Sequence, residues 1–198
     1  MISRVESAAA TRRALVDAAA DLLDQGGPDA VTLREVGARA GVSRGAPYRH
    51  FADKESLLTA IAVESWDRIG DQVRELRTRE EPAPAGKLHH ALTALIGVGR
   101  RQPHLFRLMF ATPAGDPSAV VRAAGRAQDE FLAIVAELVG DQDARRIGAL
   151  LMTSAHGITG MEVSGHLTAE KWGTSGDEIV TSLIEMIPKK RESLRTEG

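Results

Sequence analysis

Apolar positions along this chain recur with a period near that of an α-helix, so the pattern predicts helices almost throughout. Leu15, Ala18, Ala19, Leu22 and Leu23 fall at i, i+3, i+4, i+7 and i+8, an amphipathic helix that Gly26-Gly27-Pro28 should stop. A long helix is expected from Leu57 to about Arg77, and after it Glu80 to Gly86, with two prolines and a glycine, is the expected boundary. Helical patterns resume at 87–101, continue from Pro103 to Ala111, and break at Thr112-Pro113-Ala114-Gly115-Asp116-Pro117. Two long helices are expected at about 118–139 and 142–165, then a polar connector from Thr168 to Gly176, then a last helix at about 177–190. There is no strand-period segment of useful length and no internal repeat.

Between the first two long helices, residues 32–54 follow a tighter plan: two short helices around a turn, the second carrying a basic and aromatic cluster. Thr32 and Glu35 are spaced as a capping box. Val36 and Ala40 then face a core, with Gly37 mid-helix, where glycine costs about 1 kcal/mol against alanine. The expected return for that cost is close approach of the second helix. Gly41 is expected to end the first helix in a left-handed conformation. Val42 should bury beneath the turn, and Ser43 should cap a helix running from Arg44 through His50, with an irregular first turn because Pro47 lacks an amide hydrogen. Phe51 returns to the core and Asp53 caps a further helix starting at Lys54. This is the plan of a helix-turn-helix DNA reader.

The run Ala14-Leu-Val-Asp-Ala-Ala-Ala-Asp-Leu-Leu, the Gly26-Gly27 stop, Thr32-x-Arg34-x-Val36, Ala40-Gly41-Val42-Ser43, Tyr48-x-His50-Phe51 and Lys54-x-x-Leu57-Leu58 together resemble the DNA-binding domain of the TetR family of bacterial regulators. A second resemblance lies in Leu150-Leu-Met-Thr-Ser-Ala-His156-Gly157-Ile-Thr-Gly160. It is similar to the regulatory domain of a TetR subgroup with a Trp/His/Gly signature on the penultimate helix, although Met152 stands where that signature has tryptophan. Gly165 and Trp172 suit the subgroup. The expected fold is all-α, with a three-helix DNA-binding domain over 9–58 and a helical-bundle domain for ligand binding and dimerisation over 59–198. The resemblance implies a homodimer that places two recognition helices in successive major grooves of a near-palindromic operator.

Composition agrees with this plan. With 198 residues and 43% apolar content the chain can bury a full core, and with 4% aromatics that core must be mostly Leu, Val, Ile and Ala. It has no cysteine, so disulfides and thiolate metal sites are excluded. No apolar run reaches the roughly 20 residues needed to span a membrane, and MISRVESAAATRR has no apolar signal core. A cytoplasmic protein is expected. The net charge of −2 conflicts with DNA binding only until it is resolved along the chain. Arg34, Arg39, Arg44, Arg49 and Lys54 are opposed within 34–54 by Glu35 and Asp53 alone, and phosphate binding depends on where the cations sit.

From reach and donor geometry, Arg34 and Arg44 are expected to read guanine edges and Ala46 a thymine methyl. Thr32, Tyr48, His50 and Lys54 are expected to grip phosphates. Ser43, Gly45 and Arg49 complete the expected DNA face. Trp66, His104, Phe106, Met109, Phe110, Met152, His156 and Met161 are candidate lining for an apolar effector pocket, with ordinary core as the alternative for about half of them. His156 has two readings, a polar group in that pocket or a buried histidine satisfied by a backbone carbonyl. For pairing, Ser154, Ala155, Gly157 and Gly160 on one helix and Ile179, Leu183, Ile184 and Ile187 on the next are the candidates, with intrachain core as the alternative.

No catalytic, metal or cofactor site is expected. Adjacent His89 and His90 point about 100° apart on a helix and cannot share a metal as i, i+4 ligands would, so they are expected on a solvated face. Lys189-Lys190-Arg191 reads as a solvated tail. Three functions compete: a ligand-responsive regulator, most simply a repressor; a constitutive or architectural DNA-binding protein without an effector; and an enzyme, for which no nucleophile or cofactor motif is visible.

Overall fold

A computed structural model describes residues 4–111 and 116–188. The described chain forms ten helices: α1 (Arg4–Ala30), α2 (Leu33–Arg39), α3 (Ala46–His50), α4 (Lys54–Thr78), α5 (Pro84–Arg101), α6 (Pro103–Phe110), α7 (Pro117–Val139), α8 (Asp141–Val163), α9 (Ala169–Trp172) and α10 (Gly176–Glu185). No strand occurs among the described residues, so the all-α expectation holds. Thr112 to Gly115 and the Lys189-Lys190-Arg191 tail lie outside them.

The chain divides into two compact units, one made of Met1–Ile69 with Arg101–Arg126, the other of Gly70–Arg100 with Ala127–Gly198. The first unit is built on the apolar stripe of α1. Leu15, Ala19 and Leu23 are fully buried, together with Val31, Val36, Leu57 and Ile61 from the following elements. The stop at Gly27 is a sharp kink, with φ 68° and ψ −169°, after which a single turn carries the chain to α2. The imidazole of His104, at the start of α6, lies against this kink, so near that a Cβ on Gly27 would stand 3.0 Å from His104 Cε1. Gln102 donates to the carboxylate of Asp24 beside it. Thus α6 docks on the end of α1.

Within 32–54 the turn chemistry is largely as expected, with two corrections. Thr32 Oγ1 accepts from the Glu35 amide at 3.2 Å, half of a capping box. The Glu35 carboxylate turns instead toward Arg34, 3.5 Å away. Gly41 is left-handed at φ 65°. The second helix starts at Ala46, with Gly45 as its N-cap and no side-chain cap, and not at Arg44 under a Ser43 cap. Pro47 is the reason: at the second helical position its missing amide is one of those left unpaired at any helix start, so nothing is lost. The Ala46 amide meets the Ser43 carbonyl at 2.9 Å in a simple turn. Asp53 caps α4 as expected, Oδ1 accepting from the Ser56 amide at 2.7 Å while Ser56 Oγ donates to the Asp53 carbonyl.

The second unit packs the C-terminal part of α4, α5, most of α7 and α8 to α10. Lys87 is buried, and its ammonium donates to the Arg77 carbonyl at 2.9 Å, closing the last turn of α4. Arg77 in turn pairs with Glu130 at 2.7 Å. Gly148 admits Leu132, whose Cδ2 would lie only 2.4 Å from an added Cβ. The polar connector after α8 contains the one-turn α9, capped by Thr168 and ended by left-handed Gly173. α10 opens with a complete capping box between Ser175 and Glu178. Hydrogen bonds from the Ser175 amide and hydroxyl hold the Glu178 carboxyl below the usual carboxylate range. His89 is half-buried and not solvated as expected, because its Nε2 meets Thr181 Oγ1 of α10 at 3.1 Å. His90 stays on the exposed side, with Nδ1 by the Gly86 carbonyl.

The close approach of α2 and α3 gives a stability test. An added Cβ at Gly37 would stand 2.7 Å from Pro47 Cγ, whereas one at Gly45 meets nothing within 4 Å. Gly37→Val should therefore destabilise the protein by about 1–3 kcal/mol through overpacking. Gly45→Ala should change stability by no more than about 0.5 kcal/mol. Denaturant unfolding of both variants checks the contrast.

Candidate nucleic-acid interface

The expected DNA-facing residues come from three local devices. The Thr32 cap fixes the start of α2, the Gly37–Pro47 contact fixes α3 against it, and the Asp53–Ser56 exchange fixes the start of α4. Between α2 and α3 lies an open cleft lined by Arg34, Glu35, Gly37, Ala38, Val42, Arg44 and Tyr48. Its floor is apolar and its rim is charged. Arg34 projects outward, its side chain 85% exposed and 3.5 Å from the Glu35 carboxylate, and Tyr48 is 61% exposed although it is a large ring. An exposed tyrosine beside arginines suits stacking and hydrogen bonding to a nucleic-acid backbone.

Thr32, Ser43, Arg44, Gly45 and Arg49 are all exposed, while His50 at the end of α3 and Lys54 at the start of α4 are half-buried. Lys54 thus adds its ammonium to a helix N-terminus, where backbone amides already favour an anion. Ala46 departs from expectation. Its methyl is buried in the helix-turn-helix core and presents almost no surface to a thymine.

The cationic patch also loses a member. Arg39 pairs with Asp21 of α1, its NH2 at 3.2 Å and its Nε at 3.3 Å from Oδ2, and so braces α2 on α1. Arg34, Arg44, Arg49 and Lys54 remain. A residue that sequence reasoning did not single out, Arg12, performs a related task. Its guanidinium lies 5.3 Å from the centre of the Phe51 ring and 2.6 Å from Glu64, joining α1, the end of α3 and α4. No local pattern signals that contact, because its partners are about 40 and 52 residues away in sequence.

The eight candidates for a ligand pocket divide between the two units. In the first, Trp66 donates to the Met109 carbonyl at 3.1 Å and meets Phe110 edge-on at 5.2 Å, and Phe106 lies 4.8 Å from Phe110. Trp66, Phe106, Met109 and Phe110 therefore form one cluster, and His104 stands against Gly27. In the second unit, Met152 is half-buried, while His156 and Met161 are exposed on α8. His156 is therefore not buried, as the second reading required. Among the pairing candidates, Ala155, Ile184 and Ile187 are buried within the protomer, and Gly157 and Gly160 lie open, with nothing within 4 Å of an added Cβ. Leu150, Met161 and Met186 are exposed on α8 and just beyond α10. Among the described residues no group of His, Asp or Glu is arranged to hold a metal ion, and no helix is long and apolar enough to cross a membrane.

Comparison with known proteins places this geometry. The family model for bacterial regulatory proteins of the tetR family matches residues 15–61, and that for the tetracyclin repressor-like C-terminal domain matches residues 88–187. The transcriptional repressor Rv3405c of Mycobacterium tuberculosis is 36% identical over 70 residues, which are 35% of this chain and 35% of its own length. The chain thus spans 35% of the length of such curated relatives. A structure of a protein of unknown function from Rhodococcus sp. RHA1 is similar over 88% of this chain and 92% of its own, at TM-score 0.73 and 28% identity. RolR, solved with its ligand resorcinol, shares the fold at TM-score 0.62 and 21% identity, over 94% of this chain and 92% of its own. With the helix-turn-helix face and the C-terminal helical region both matched, the chain belongs to the tetR family of bacterial regulatory proteins, which are DNA-binding transcriptional regulators and not enzymes.

Proposed function

We propose that this protein is a repressor that binds a near-palindromic operator as a homodimer and is released by a small apolar or amphipathic effector. Residues 9–58 carry DNA binding and 59–198 carry regulation and pairing in this reading. The observation that carries it is the open cleft between α2 and α3, where Arg34, Arg44 and Tyr48 project from a rigid apolar floor. Arg34 and Arg44 would read guanine edges, and Thr32, Tyr48, His50, Arg49 and Lys54 would hold phosphates. The repressor sense is supported by Rv3405c, which is named as one.

The residue roles separate in a salt titration. Lys54→Ala should weaken matched and mismatched duplexes alike and lower the salt slope by about 1, while Arg44→Ala should relax one base position by about 1–3 kcal/mol. Arg39→Ala should leave the slope unchanged, because Asp21 already holds that guanidinium. Equal slopes for Lys54→Ala and Arg39→Ala would refute the assignment.

Pairing is supported by the open Gly157 and Gly160 beside exposed Leu150 and Met161 on α8, and by Met186. Apolar surface next to small residues favours close helix packing. The half-sites would then lie roughly 34–36 Å apart. Gly157→Leu should convert dimer to monomer in sedimentation without unfolding the protomer, since a Cβ there meets nothing within 4 Å.

An effector is supported by RolR, which has this fold and holds resorcinol. Kinship with the Trp/His/Gly subgroup rests on His156, Gly157 and Gly160, with Met152 at the tryptophan position. In the first unit the candidate lining is Trp66, His104, Phe106, Met109 and Phe110, and in the second unit Met152, His156 and Met161 are separate candidates. Helix α4 runs from Lys54 on the DNA face to Thr78 as one continuous helix, a stiff path for a ligand to bias the spacing of two readers. A ligand preferring the DNA-incompetent arrangement about 100-fold would supply about 2.7 kcal/mol. His156→Ala should alter that response and leave operator affinity without ligand intact, as measured by anisotropy against a panel of small aromatic compounds. A panel without effect on operator affinity would favour a constitutive DNA-binding protein.

A further inference from the structure

We infer that Glu35 is a base-reading residue, accepting a hydrogen bond from the N4 amino group of a cytosine next to the guanine read by Arg34. This rests on the reading of the α2 and α3 face as the DNA-facing surface and names one of its specificities. The structure contains an internal comparison. Glu35 and Glu178 hold the same third position after a hydroxyl N-cap, and Glu178 uses its carboxylate to accept from the Ser175 amide at 2.8 Å. Glu35 does not. Its backbone amide satisfies Thr32, while its carboxylate leaves the cap and lines the cleft beside Arg34, Arg44 and Tyr48. The carboxylate is half exposed, and its contact with Arg34 stands at 3.5 Å, the outer limit of a hydrogen bond. Neither group is locked by the other.

A carboxylate on a face that meets phosphates is repelled by them. The groups in a major groove that reward it are exocyclic amines, and glutamate is suited to cytosine N4. Arg34 and Glu35 are adjacent on α2 and both line the cleft, so the two side chains can reach neighbouring base pairs. Arg34 would take guanine O6 and N7, and Glu35 the cytosine amine on the adjoining step. The same charge would exclude guanine or thymine there, since both present acceptors at that edge.

The test is selection from a duplex library randomised over the half-site, carried out with the full-length protein and with Glu35→Gln, Glu35→Ala and Arg34→Ala. The native chain should select adjoining guanine and cytosine positions. Arg34→Ala should lose the guanine. Glu35→Gln should exchange the cytosine for adenine, which glutamine reads through N6 and N7, and Glu35→Ala should drop the preference there roughly 5- to 150-fold. Glu35→Gln is nearly isosteric and keeps the capping amide, so it folds as the native chain does even if the alanine variant does not. The inference is overturned if Glu35→Gln selects the same sequence as the native chain. It is equally overturned if Glu35→Ala loses the guanine of Arg34 and nothing else, which would make Glu35 a positioning residue. A native chain that selects no sequence at all would refute the DNA-face reading itself, a result distinct from either.

Discussion

The contact of Gly37 with Pro47 governs the rest of the DNA-facing unit. A side chain at position 37 would stand 2.7 Å from the proline ring, so α2 and α3 can approach this closely only because one helix has no Cβ at the crossing. The proline is rigid and helical in φ, and it takes the second position of α3 without loss of a hydrogen bond. Two residues unfavourable within helices thus combine into a fixed angle. The cleft exists because of that angle, and the rotation of α3 follows from it: Ala46 and Pro47 turn inward, while Tyr48 and Arg49 turn outward.

Around this contact the unit is tied by ion pairs and ring contacts between distant segments. Arg39 on Asp21 joins α2 to α1, Arg12 joins α1 to Phe51 and Glu64, and Gln102 with His104 joins α6 to the end of α1. Individual exposed pairs of this kind contribute little, about 0–1 kcal/mol. Their number matters more for orientation, since each fixes a helix against α1 and leaves Arg34, Arg44 and Arg49 projecting. Charge is thus divided between bracing pairs and projecting cations, so a net charge of −2 still leaves a local cationic patch on the helix-turn-helix face. In the second unit buried Lys87 has the bracing role, holding the last turn of α4 through the Arg77 carbonyl.

Much of this was legible in the sequence, where the cause is local. Helical periodicity located α4 to α8 to within a few residues, although α1 begins at Arg4, well before the stripe at Leu15, and α10 ends at Glu185; the Gly26-Gly27-Pro28 stop became the kink at Gly27, and Gly37, Gly41, Thr32 and Asp53 took the roles their chemistry suggests. Apart from Gly37, whose contact with Pro47 lies ten residues on, these depend on neighbours within four residues, so the chain encodes them directly. The start of α3 was misplaced because two local rules competed, a serine cap and a proline at the second helical position, and the proline prevailed. α9 was missed because one turn is too short to show a period.

What the tertiary structure alone decided is which way each side chain faces and what it meets across the chain. Local pattern groups Arg39 with the DNA-reading cations, puts His89 in solvent and assigns Ala46 to a thymine, whereas Arg39 pairs with Asp21 at the surface, His89 is half-buried against Thr181, and Ala46 is buried. It left His156 open between two readings, and the fold exposes it. It also gave the Glu35 carboxylate to a capping box that Glu178 completes and Glu35 does not. Propensity and capping act over one helical turn and are written in adjacent residues. The partner of a charge or a ring is set by loop closure and packing over tens of residues, which no short window of sequence contains.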